Sequence, residues 1–131
     1  MNKEEKELLL RDLCNRLPYN VMCQVEFKED GKYNSKVMLL SGIFTDEAYF
    51  TTKGGSIYSN EYKPYLFPLS SMTEEEQRTL DSMCNGVEMV SRLSGLKMFG
   101  KAFNWLNENH FDYRGLIEKG LAIDATGKKI Y

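Results

Sequence analysis

The amino-acid sequence predicts an α+β fold: an N-terminal helix, an antiparallel sheet of about four or five strands, and two or three C-terminal helices. Three observations carry that expectation. Apolar residues near the start recur at three-to-four spacing, the spacing drops to two from residue 21, and it returns to three-to-four after residue 73. A small SH3-like or Sm-like barrel with added helices fits the same outline, since a leading helix followed by a meander suits both. With 131 residues, 42% of them hydrophobic, the chain has enough apolar surface for one domain spanning 1–131 without metals or disulfides.

Residues 3 to 17 read as an amphipathic helix. Leu9, Leu10, Leu13, Cys14 and Leu17 gather on one side, Glu7 with Arg11 and Asp12 with Arg16 stand at i,i+4, and Pro18 ends the run. Val21, Cys23, Val25 and Phe27 then alternate with polar neighbours as a half-buried strand does. Asp30-Gly31 follows as a hairpin turn, because both central positions of a type I′ turn need positive φ. A second strand is expected from about Lys36 to Phe44, its VMLL run apolar enough to be covered on both faces. After the polar break Thr45-Asp46-Glu47, Ala48 to Thr52 and Ser56 to Tyr58 flank Gly54-Gly55 as a second hairpin.

The segment 62 to 72, YKPYLFPLSSM, holds two prolines and reads as an edge strand or an extended crossing. Thr73 and Glu76 have capping-box spacing, and Leu80, Met83, Cys84 and Val87 mark the stripe of a helix over 74–84, continuing loosely to Val90. Ser94-Gly95 and Gly100 punctuate the next stretch. A further helix begins near Lys101, with Ala102, Phe103, Trp105 and Leu106 inward, and a short one runs from Tyr113 to Lys119 between an Asp112 cap and Gly120.

The net charge of −2 is spread along the chain with no basic block, which disfavours general nucleic-acid binding. A helix-turn-helix reading of 103–120 is disfavoured, because the second helix would be only about two turns long and the charges of Arg114, Glu118 and Lys119 are mixed. No apolar run approaches the roughly 20 residues of a membrane span. The acidic start with its brief apolar cluster is unlike a secretory signal, so a cytoplasmic location is expected. Cys14, Cys23 and Cys84 have no metal-site spacing and read as free thiols. Neither a metal nor a cofactor is expected, and no phosphate-loop, dinucleotide, nucleophile-elbow or HExxH motif occurs.

Two groups of residues could carry chemistry. His110, the single histidine, lies beside Asp112, Tyr113 and Arg114, a set that suits either acid-base or phosphate chemistry or the punctuation between two helices. Tyr49, Lys53, Tyr58, Tyr62, Lys63 and Tyr65 form an aromatic and lysine-bearing stretch that suits a ligand or partner surface, or sheet packing.

At KPYLFPLSSMTEEE and WLNENHFDYRGLIEKGLAIDA the chain resembles small uncharacterised proteins of phages and prophages of gut Bacteroides-type bacteria. The resemblance implies an accessory factor expressed inside a bacterial host cell, and it transfers no site residues. The expected function is non-catalytic, binding a host protein or sequestering a small anionic, nucleotide-like ligand. The alternative is a small enzyme using His110 and Asp112. A homo-oligomer is compatible with either reading, since strand edges and surplus aromatics can find a symmetric partner.

Overall fold

The computed structural model describes residues 1–44, 47–84 and 92–131, with side chains described throughout these except at 92–98. Its elements run α1 (Lys3–Arg16), β1 (Met22–Glu29), β2 (Lys32–Ile43), β3 (Ala48–Thr52), β4 (Gly55–Ser59), β5 (Tyr62–Pro68), α2 (Glu74–Cys84), α3 (Arg92–Glu108), β6 (Phe111–Asp112) and β7 (Ile123–Asp124). The class is α+β as expected, but the sheet is larger. It has seven strands in the order β4-β3-β2-β1-β5-β6, with β7 also on β5. β6 and β7 join β5 in parallel, so the sheet is mixed rather than antiparallel. These dipeptide strands are too short to leave an alternation in the sequence.

Asn2 caps α1 by accepting the Glu5 N–H at 2.8 Å. The buried stripe is Leu9, Asp12, Leu13 and Arg16, whereas Leu10 and Cys14 are exposed. The inward face is therefore rotated away from the apolar arc expected, and it carries an ion pair into the interior. Leu9 and Leu13 join Val21, Cys23, Val25, Met38, Leu40, Ala48, Phe50 and Leu66 of the sheet, with Leu116, Leu121 and Ala122, in one core cluster.

β1 and β2 pair without interruption from Met22 with Leu39 to Glu29 with Lys32. Asp30 and Gly31 turn between them with φ of 51° and 78°, the type I′ geometry expected. In β2 only Met38 and Leu40 of VMLL are buried; Val37 is exposed and Leu39 half-buried. Among the described residues one face of β2, not both, is covered, since Val37 and Ser41 on the outer side are exposed. A register shift between Leu40 and Gly42 bends β2 where β3 joins it.

β5 corrects the expectation of an edge strand, since it pairs with β1 along one edge and with β7 along the opposite one, where Leu66 O accepts the Ala125 N–H, while the oppositely directed Phe67 N–H donates to His110 O at β6. The Glu26 N–H donates to Glu61 O, so in the β1/β5 ladder Gln24 with Lys63 is the next hydrogen-bonded pair and Cys23 with Pro64 is not. The N–H that Pro64 lacks would thus point away from β1, and the β7 pairing starts only at Tyr65. Pro68 stands at the end of β5 opposite Asp112. An inner strand tolerates both prolines because neither removes a ladder donor in use toward β1.

The Ser59 hydroxyl, at the end of β4, donates to Glu26 O of β1 at 2.7 Å. The meander is therefore curled, part of the way to the small barrel that the sequence equally allows. β4 forms a ladder with β3 alone, so closure is incomplete.

Thr73 and Glu76 form the expected capping box, Thr73 N–H to Glu76 Oε1 at 3.0 Å and Glu76 N–H to Thr73 Oγ1 at 3.1 Å. Leu80, Met83 and Cys84 are half-buried along α2; Val87, and the loose continuation to Val90, lie outside the described residues. α3 starts at Arg92, nine residues before the start expected, so Gly95 and Gly100 sit inside it as helical residues. Ala102 and Leu106 face the interior and Trp105 is half-buried, but Phe103 is exposed. No helix forms over 113–119; that segment makes turns, with Gly120 at φ 74°. Among the described residues, no helix is long and apolar enough to cross a membrane.

The thiols are chemically distinct. Cys23 is fully buried, which pushes its pKa up, while Cys14 is exposed and Cys84 half-buried. A thiol reagent is expected to label Cys14 rapidly, Cys84 more slowly and Cys23 only on unfolding; mass-mapped labelling with time checks that order.

Candidate functional site

α3 ends at Glu108, and His110 follows with φ of 61°. This left-handed conformation, uncommon for a side chain with a Cβ, is held from both sides: the His110 N–H donates to Asn107 O and its carbonyl accepts the Phe67 N–H at 2.8 Å. The helix end is closed by backbone and by the Asn109 amide, which donates to Trp105 O at 2.9 Å, rather than by imidazole. The imidazole instead stacks on Tyr131, with centroids 3.6 Å apart and planes 12° from parallel. Its Nδ1 is buried without a hydrogen-bond partner among the described residues.

Burial, and then the positive charge of Arg16, push the His110 pKa down to about 4, so the ring is neutral at pH 7. The unfolded chain binds a proton near pH 6.5 and the folded chain near 4. His110 therefore contributes stability above pH 6.5 that is lost as the pH falls through that window. The contribution is expected to be about 2 kcal/mol, discounted for the edge of the ring still open to water. Urea unfolding at pH 7 and pH 4.5 checks it against His110→Asn, which tolerates the same backbone and lacks the titration.

Asp112 points elsewhere. Its Oδ1 accepts the N–H groups of Leu116 at 3.0 Å and Arg114 at 3.3 Å, and its Oδ2 accepts the N–H of Ile117 at 2.9 Å. The carboxylate is a cap, as the sequence suggests, though for a turn rather than a helix. No hydrogen bond joins His110 to Asp112 among the described residues, and both carboxylate oxygens are committed to backbone. The pair is not arranged as a base with its orienting acid.

Tyr113 and Arg114 belong to a third arrangement that the sequence conceals. Arg16 and Asp12 are fully buried and joined by Nε to Oδ2 at 2.6 Å and Nη2 to Oδ1 at 3.1 Å. Nη2 also donates to Phe111 O at 2.6 Å. Arg114 Nε lies 3.3 Å from the same Asp12, close enough for charge attraction but not aimed as a hydrogen bond. Each guanidinium stands 5.2 Å from the centre of the Tyr113 ring, whose hydroxyl donates to Asn107. α1 is thereby tied to the segment after α3. A sequence signal existed: Leu9, Asp12, Leu13 and Arg16 follow i, i+3, i+4, i+7.

The six residues expected to form a ligand or partner surface do not assemble into one. Tyr62 turns inward against Phe50, rings 5.1 Å apart. Tyr65 is buried, its hydroxyl donating to Gln24 at 2.6 Å. Lys63 is exposed on β5, and Lys53 stands in the turn between β3 and β4. Tyr49 and Tyr58 do meet: they are cross-strand partners on the outer face of β3 and β4, with centroids 4.9 Å apart. Phe44, not anticipated as part of the surface, lies 5.7 Å from Tyr58 and completes a cluster of three rings. Phe44 is 54% exposed and Tyr58 56%.

Among the described residues no group of three or more His, Cys, Asp and Glu could hold a metal ion. The chain matches no family model, no curated protein and no solved structure.

Proposed function

We propose that this chain is a non-catalytic binding protein, a phage or prophage accessory factor acting inside a bacterial host cell, and that it engages a protein partner through Phe44, Tyr49 and Tyr58. The observation that carries the reading is a cluster of three contiguous rings on one sheet face, with Phe44 and Tyr58 more than half exposed and Tyr49 half-buried beside them. Large aromatics left open to water in a cluster mark contact sites, where a partner buries them at little cost in side-chain entropy. A small anionic ligand is less well served. Lys53 and Lys63 stand on separate elements, and the groove beside Lys63 also holds Glu26 and Glu61.

Capture of host proteins on immobilised wild-type chain, compared with the Phe44→Ser/Tyr58→Ser variant, tests the reading. Both side chains are exposed, so the variant is expected to keep its melting temperature. It should lose at least about tenfold in recovery of whatever protein wild type retains, the effect of removing hot-spot rings. Equal recovery by the two proteins would overturn the assignment of the partner surface.

A further inference from the structure

β4 presents a bare edge. Its closing pair at the two-residue turn is Thr52 with Gly55, so Phe50 with Ile57 and Ala48 with Ser59 are hydrogen-bonded pairs as well. The N–H and C=O groups of Ser56 and Tyr58 therefore point away from β3, and none has a backbone partner among the described residues. Exposed edges are ordinarily guarded by charge, proline or a bulge. The exposed arm formed by β1 and β2 follows that rule with Lys28, Glu29, Lys32 and Lys36, but Gly55-Ser56-Ile57-Tyr58-Ser59 carries none of these devices. Beside it lies an open cleft of about 490 Å³, lined by Ile57 and Tyr58 on one side and Phe27, Lys28 and Tyr33 on the other.

We infer that the β4 edge is a self-association site, pairing antiparallel with β4 of a second copy about a two-fold axis at Ile57. This register follows from the residues. It sets Ser56 of one copy against Tyr58 of the other, twice, so all the outward backbone groups of both strands are used, and it leaves Ile57 facing Ile57 as a non-hydrogen-bonded pair. No like charges meet, because β4 has none. A strand thus complementary to itself in hydrogen bonding, and free of charge along its length, fits an isologous contact better than it fits an arbitrary peptide. The pairing lies in the plane of the sheet, so the rings of Phe44, Tyr49 and Tyr58 stay open and are doubled.

Two variants test the contact. Ser56→Pro removes an outward N–H that the β3/β4 ladder does not use, and should leave the circular dichroism of the chain unchanged. Ile57→Cys, in a Cys14→Ser/Cys84→Ser background, places two thiols at the two-fold axis within disulfide reach. Light scattering of the wild type at about 0.1 mM should give twice the mass of one chain, falling to the single mass on dilution, as a small edge contact does. Ser56→Pro should give the single mass throughout, and oxidised Ile57→Cys a covalent dimer. A wild type that stays at the single mass, or a dimer that Ser56→Pro leaves intact, overturns the proposal. So does failure of Ile57→Cys to cross-link, which decides the matter even where Ser56→Pro does not fold. Phe44→Ser/Tyr58→Ser should still dimerise, so loss of partner binding and loss of pairing are read separately.

Discussion

Asp12→Ala is expected to lower the unfolding free energy by about 3–5 kcal/mol, the usual cost of removing one partner from a buried ion pair. Arg16 is 0% exposed, so its guanidinium cannot turn to water when the carboxylate goes. It would keep a single hydrogen bond to Phe111 O, and Arg114, drawn in by the same carboxylate, would face it as an uncompensated like charge. The pair itself need not be strongly stabilising, since the desolvation of two charges offsets most of their attraction. Asp12→Leu/Arg16→Met is therefore expected to cost less than half as much as Asp12→Ala, the remainder coming from the Phe111 carbonyl left without its donor. Urea titrations followed by the fluorescence of Trp105, the chain's single tryptophan, check both. Trp105 stacks on Phe111 at 5.6 Å, so it reports on the segment that Arg16 holds. An Asp12→Ala midpoint equal to wild type would show that water reaches Arg16, contrary to its burial.

This ion pair also marks where sequence reading stops. Period-two alternation made β1 legible, Asp30-Gly31 located the first hairpin, and Thr73 with Glu76 fixed the start of α2, because each is a local signal with a local cause. Asp12 and Arg16 were legible as an i,i+4 pair but not as a buried one. Pairs at that spacing ordinarily sit in water, and only the return of Phe111 and Arg114 over α1 decides otherwise. The inner position of β5 was hidden for a similar reason, since whether Pro64 is tolerated depends on which way its nitrogen faces across the ladder. α3 extends back through Gly95 and Gly100 to Arg92, against weak local propensity. At the candidate surface, the cross-strand pairing of Tyr49 with Tyr58 could follow from the hairpin register. Phe44 joins them only through the bend in β2 beyond Leu40, which no pattern of residues announces.

The segment that looked most chemical is the one most committed to holding the chain together, and Asp112→Ala measures that commitment. Substitution removes the acceptor of three N–H groups, those of Arg114, Leu116 and Ile117, at a residue only 7% exposed. A buried donor left unsatisfied costs about 1–3 kcal/mol, and an ionised acceptor is worth more than a neutral one. The Leu116 N–H is the buried member of the three, while the other two lie nearer solvent and recover part of their loss from water. The expected destabilisation is therefore about 3 kcal/mol, rather than three full penalties. Asp112→Asn separates the two components. Its oxygen can still serve Leu116, but its amide would confront the Ile117 N–H, so roughly half the loss should remain. The loss should be visible as faster amide exchange confined to the turn at 116–120 and to Leu121 and Ala122, whose N–H groups both donate to Leu116 O. If Asp112→Ala instead leaves stability and exchange unchanged, its carboxylate is not a cap, and the acid-base reading of His110 with Asp112 regains its principal residue.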